Sequence, residues 1–141
     1  MTTAAALITS LLLLLQPGPG QQTLEAEAQR FSAAFLAKDA DGLGQTLSDE
    51  GILLHLPGEK HNRLNPRQAQ AALGAFLHRY SEGETEVRGV SRAAGDDGRG
   101  FAEILWRTGS PGAGEPVIFT VFVAYAKVAA SRNLTEIRVL Y

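Results

Sequence analysis

At 141 residues, with 45% hydrophobic and 20% charged side chains, the chain has the size and composition of one domain with an apolar core. Its 13 basic and 15 acidic residues leave a formal net charge of -2, which excludes the basic footprint of a nucleic-acid binder and an electrostatic hold on anionic lipid. The absence of cysteine excludes a disulfide framework, a thiolate nucleophile and a cysteine metal site.

No charged side chain precedes Glu25, and Ala4 to Leu15 is an unbroken run of apolar or small residues ending in five leucines. The run matches the core of a signal peptide and is too short for a membrane span, which needs about 20 residues. Gln16-Pro-Gly-Pro-Gly follows, and the small residues Gly18 and Gly20 predict cleavage before Gln21. Residues 1–20 are therefore expected to be an export signal, although only the amino terminus supplies positive charge. Residues 21–141 would be the mature domain, periplasmic or extracellular, with no membrane association once the signal is removed.

From Leu24 to Lys38, the apolar residues Leu24, Ala28, Phe31 and Phe35 recur at helical spacing, with Thr23 as an N-cap and Glu25 and Glu27 in the first turn. A second helix is expected over Asp41 to Leu47, capped by Asp39 or Asp41, burying Leu43 and Leu47 and weakened by Gly42 and Gly44. Ile52 to Leu56 reads as a strand stopped by Pro57-Gly58, and Glu59 to Leu64 as a polar loop. Asn65-Pro66 then starts a helix to about Tyr80, burying Ala69, Leu73, Phe76, Leu77 and Tyr80.

The remainder is strand and turn: Thr85 to Ala93, a turn at Gly95 to Gly98, Gly100 to Thr108, a loop from Gly109 to Glu115, Val117 to Val128, and Asn133 to Tyr141. Val117 to Val128 is apolar on both sides, so both faces need cover. The helices can cover one. The other, with no second layer left in the chain, predicts a homodimer packed through the outer sheet face around Val117 to Val128. The expected fold is α+β: a curved antiparallel sheet wrapped on three N-terminal helices, in the order α-α-β-α-β-β-β-β.

This order resembles the nuclear transport factor 2-like, or cystatin-like cone, superfamily over roughly residues 24–141. More narrowly, Phe35-Leu-Ala-Lys-Asp-Ala-Asp, Leu56-Pro-Gly, Gln68-Ala-Gln-Ala-Ala-Leu-Gly-Ala-Phe-Leu, Phe119-Thr-Val-Phe-Val and Leu134-Thr-Glu-Ile-Arg-Val resemble a family of small exported bacterial domains of unknown function. The glycine- and proline-rich loop before the central strand departs from many of its members. The resemblance implies a cone-shaped domain whose interior can be a ligand pocket, used for binding or for isomerase, dehydratase or epoxide-opening chemistry with carboxylates, histidines or tyrosines inside.

Among the acids, Glu86, Glu103 and Glu136 fall within strands, where Glu103 shares a face with Arg107 and Glu136 with Arg138, the pattern of an outward polar face. His55, His61 and His78 have no metal-ligand spacing, Gly95-Asp-Asp-Gly-Arg-Gly lacks the ligand order of a calcium loop, and Gly112-Ala-Gly-Glu-Pro is followed by a strand rather than a phosphate-binding helix. No catalytic, metal or cofactor residues are assigned. Aromatic side chains near the expected interior, with polar tips on Tyr80 and Trp106, make Phe35, Tyr80, Trp106 and Tyr141 the candidate pocket lining for a small apolar ligand. The expected role is an exported, non-catalytic cone domain that binds such a ligand or a protein partner. The alternatives are a small isomerase or lyase using a carboxylate in the cone, or a structural interaction module.

Overall fold

The computed structural model describes residues 19–59, 63–93, 98–109, 114–128 and 131–141. The apolar run of the expected export signal, the turn at Gly95, the loop around Gly112, and His61 lie outside the described residues.

In helix α1 (Pro19–Leu36), Leu24, Ala28, Phe31 and Phe35 form one buried stripe. The helix begins before Thr23, which lies within it rather than capping it; Gln21 and Gln22 are good helix formers and no breaker separates them from Leu24. Lys38, in the left-handed region at φ 57, turns the chain out of the helix, and its ammonium donates to the carbonyl of Tyr80.

Helix α2 (Ala40–Gly44) is capped by Asp39, whose carboxylate accepts from the Gly42 amide at 3.0 Å. It stops short of the expected Leu47 because the next residues pair elsewhere. The Ser48 amide donates to the Leu134 carbonyl at 2.8 Å, and the Leu134 amide to Thr46 at 3.0 Å. Leu47 is buried all the same. Gly44 has a packing role beyond its weak helix propensity: a Cβ there would lie 2.0 Å from Oε1 of Gln70, whose amide nitrogen donates to Asp41 at 2.7 Å. Glycine lets this short helix close on the next one.

That next helix, α3 (Pro66–Leu77), starts as its sequence predicts. Asn65 Oδ1 accepts from the Gln68 amide at 2.9 Å, Gln68 Oε1 accepts from the Asn65 amide at 3.1 Å, and Pro66 forgoes a donor that would be unpaired anyway. Ala69, Leu73, Phe76 and Leu77 are buried and Tyr80 half-buried.

Strands β1 (Ile52–His55), β2 (Arg63–Leu64), β3 (Gly83–Arg92), β4 (Gly100–Gly109), β5 (Pro116–Tyr125) and β6 (Leu134–Leu140) form one curved, unclosed sheet in the order β2-β1-β6-β5-β4-β3. The architecture is the expected α+β arrangement with two corrections. Arg63–Leu64, inside the expected loop, adds a short strand, making the order α-α-β-β-α-β-β-β-β. The sheet is also not wholly antiparallel, since β1 pairs in parallel with β6. A parallel pair needs a long crossover, and the chain between these two strands, carrying α3 and the meander, supplies one.

The central strand β5 is antiparallel to both neighbours. It ends at Tyr125 rather than Val128, because the Ala126 amide already donates across the turn to Asn133 at 2.8 Å. Phe119, Val121, Val123 and Tyr125 point into the core, while Ile118 and Phe122 face out. On the outer face, Glu103 and Arg107 are exposed, Arg107 pairs with Glu84 at 2.9 Å, and Glu136 pairs with Arg138, as the polar pattern predicts. Strand β6 departs from simple alternation. Ala124 pairs with Glu136 but Tyr125 with Leu134, leaving Thr135 as the extra residue of a bulge. The bulge turns Leu134 into the core beside Ile137 and Val139.

Candidate functional site

A helix residue and the residues three, four and seven positions further on share one side. In α1 these are Glu27, Arg30, Phe31 and Ala34, along the edge of the buried stripe. They form one wall of a cavity of about 400 Å³, closed on the other sides by Leu43, Thr46, Tyr125 and Leu134 and rimmed by Gln45 and Ser131 to Asn133. The rim is tied together. Thr46 Oγ1 donates to the Leu43 carbonyl at 2.6 Å, Asn133 Nδ2 to the Lys127 carbonyl at 2.7 Å, and Arg132 pairs with Asp49 at 3.0 Å. Asn133 opens an Asn-Leu-Thr glycosylation sequon, but its buried side chain is engaged inside the turn rather than presented for modification.

Tyr125 is the unusual member of this wall. It is 2% exposed, and its hydroxyl has no hydrogen-bond partner among the described residues. Burial pushes its pKa well above the ordinary tyrosine value, the negative charge of Glu27 pushes the same way, and Arg30 opposes them. The hydroxyl therefore keeps its proton and is available both to donate and to accept. Glu27 and Arg30 form an ion pair at 3.7 Å whose two members sit differently: the Glu27 side chain is 15% exposed, that of Arg30 73%.

Phe35, Tyr80, Trp106 and Tyr141 gather toward the other end of β5. Phe35 meets Trp106 edge-on at 4.9 Å, Trp106 stacks on Phe119 at 5.0 Å, and Tyr80 lies 5.2 Å from Trp106 and 5.3 Å from Phe119. Phe76 fills the space behind them, 6.0 Å from Trp106. Tyr141 leans on Phe119 at 5.0 Å yet is 84% exposed. Burial raises the Tyr80 pKa, and proximity and hydrogen bonding to Tyr141 raise it further against the pull of Arg79. None of these four side chains lines the cavity at Tyr125.

Sequence reasoning passed over Tyr125 and Glu27. A signal was present: Tyr125 is the one polar tip on the inward row of β5, otherwise formed by valine and phenylalanine. Glu27 was placed as a first-turn dipole partner, whereas the longer helix sets it along the cavity wall.

No protein-family model matches the sequence, and no curated protein is significantly similar to it. Solved structures are similar in fold. A ketosteroid isomerase-like protein from Erwinia carotovora atroseptica superposes with a TM-score of 0.71 at 16% identity, over 87% of this chain and 96% of that one. The fold is the nuclear transport factor 2-like, or cystatin-like, cone. Another cone, a DUF4783 family protein from Bacteroides uniformis, matches with a TM-score of 0.64 at 20% identity, over 79% of this chain and 93% of that one. A Catenulispora acidiphila protein with a ketosteroid isomerase-like fold, in complex with trimethylamine, matches with a TM-score of 0.63 at 12% identity, over 81% and 83% of the two chains. The cone hosts many unrelated activities, so the site must carry the function.

Proposed function

We propose that this chain is an exported, non-catalytic cone domain that holds a small, largely apolar ligand in the cavity at Tyr125. The observation that carries the proposal is the Tyr125 hydroxyl, buried and unpartnered at a wall formed mostly by Phe31, Ala34, Leu43 and Leu134. An unsatisfied buried hydroxyl costs roughly 1–3 kcal/mol, and a ligand whose entry turns the ring so that the hydroxyl meets a polar atom removes that cost. The cavity, at about 400 Å³, falls within the range of about 300–1,000 Å³ usual for small-molecule sites. The Catenulispora cone accommodates a small organic molecule in its own structure. Export is supported by the uncharged run from Ala4 to Leu15. Native mass spectrometry of the gently purified full chain, followed by calorimetry with apolar compounds, tests the proposal. The expected result is a retained or titratable small molecule that Tyr125→Phe binds about tenfold more weakly. Folded protein that takes up nothing would sink it.

A second reading is favoured by one observation, the presence of the Glu27 carboxylate on the same cavity as Tyr125. A carboxylate and a protonated phenol facing one ligand are suited to proton transfer in an isomerase or lyase. Turnover lost in Glu27→Gln with binding retained would support it over simple binding.

The same proposal includes a homodimer through the outer sheet face. Phe101, Ile118 and Phe122 are 43%, 47% and 40% exposed there, and a shallow groove of about 220 Å³ runs between Phe101, Phe122, Ala124, Glu136 and Arg138. Glu103 and Arg107 on one side of Phe122, with Glu136 and Arg138 on the other, give the face both signs of charge. A second copy related by a twofold axis can meet such a face with opposite charges. Sedimentation is expected to show a dimer that Phe122→Glu converts to a folded monomer; a wild-type monomer at micromolar concentration would refute it.

A further inference from the structure

Beyond the Tyr125 hydroxyl, the charges on this cavity are unequally placed. Glu27 holds its carboxylate at the wall with its side chain 15% exposed, while Arg30, its partner at 3.7 Å, is 73% exposed. A cation in water is screened, whereas a charge drawn into low-dielectric surroundings is not. Arg132, the other cation at the rim, has its own counter-charge in Asp49 at 3.0 Å. The field inside is therefore set chiefly by Glu27.

We infer that the cavity selects an apolar ligand bearing a protonated amine, with Glu27 as the selecting charge. This rests on the cavity being a ligand site, as proposed above. An ammonium seated at the Glu27 carboxylate donates to it in a charge-assisted bond. Phe31, Ala34, Leu43 and Leu134 cover the hydrocarbon part. A carboxylate ligand of the same shape would set like charges together away from water, so Glu27 discriminates by repulsion as well as attraction. An uncharged analogue loses the ion pair but keeps the apolar contacts, and falls between the two.

Three probes of matched shape test this: phenethylamine, phenethyl alcohol and phenylacetate, titrated into the full chain by calorimetry and by following the ring resonances of Phe31 and Tyr125. The amine is expected to bind at least about tenfold more tightly than the acid. Glu27→Gln is expected to erase that preference while leaving the alcohol within about twofold of wild type, and Arg30→Ala to widen it. Acid binding as tightly as amine would overturn the inference and leave the cavity standing as a ligand site. An amine preference unchanged in Glu27→Gln would overturn the role of Glu27. Failure of all three probes to move the Phe31 and Tyr125 signals of folded protein would overturn the ligand site itself, and this inference with it.

Discussion

At the Phe119 end of β5 the interior is filled by rings in contact, whereas at the Tyr125 end, on the same inward row, it holds a cavity of about 400 Å³. Phe31 stands between them, 5.6 Å from Phe35 on one side and on the cavity wall on the other. The filled end satisfies its buried polar group: Thr108, on the same side of β4 as Trp106, donates to the Ser81 carbonyl at 2.7 Å. The open end leaves Tyr125 unsatisfied. One strand thus serves stability at one end and retains an unmet hydrogen-bonding demand at the other, where a binding site would need it.

The largest effect expected from breaking this contrast comes at the filled end. Trp106→Ala removes the ring that Phe35, Phe76, Tyr80 and Phe119 all touch, and chemical denaturation should show a loss of about 3–5 kcal/mol. If Trp106→Ala left stability near wild type while changing ligand affinity, the filled end would be a site rather than a core.

A smaller effect, specific to the open end, comes from alkali. The Tyr125 pKa is raised above its ordinary 10.0 in the folded chain, so above about pH 10 the unfolded state has lost a proton that the folded state keeps. Stability from this group is therefore complete below pH 10 and falls as pH rises toward the folded pKa, by at most about 1.4 kcal/mol per pH unit. Denaturation of wild type and Tyr125→Phe across that range should show a shallower decline in the variant. Identical slopes would mean that the hydroxyl ionises as freely folded as unfolded.

The smallest effect is the most telling. At neutral pH, Tyr125→Phe removes a buried hydroxyl that has no partner, so the ligand-free domain should be unchanged or more stable by up to about 1 kcal/mol. A loss above about 1 kcal/mol would show that the hydroxyl already has a structural partner, and would remove the contrast between the two ends.

Much of the fold was legible before any coordinates. Leu24, Ala28, Phe31 and Phe35 announce the buried face of α1, Asn65-Pro66 announces the start of α3, and the alternation in β4 and β5 separates core from outer face because side chains in a strand point alternately to its two sides. The backbone around Leu47 and Leu134 is less transparent, because each is placed by the other: their backbones bridge, α2 ends early, and a bulge at Thr135 reverses the parity of β6 at its first residue. Arg63–Leu64 is two residues long and carries no period to detect; its pairing with Leu53 and Ile52 makes it a strand.

By itself, then, the sequence determined the class of the fold, the helix faces, the inward row of the central strand and the polar character of Glu103 and Glu136 on its outer side, because these follow from spacing along one element. Only the tertiary structure decided where the interior is filled and where it is open. That depends on volumes contributed by residues far apart in the chain: Phe35, Phe76, Trp106 and Phe119 meet at one end, while Glu27, Leu43, Tyr125 and Leu134 stand apart around a cavity at the other. Packing is a property of several elements at once, and no single segment encodes the space left between them.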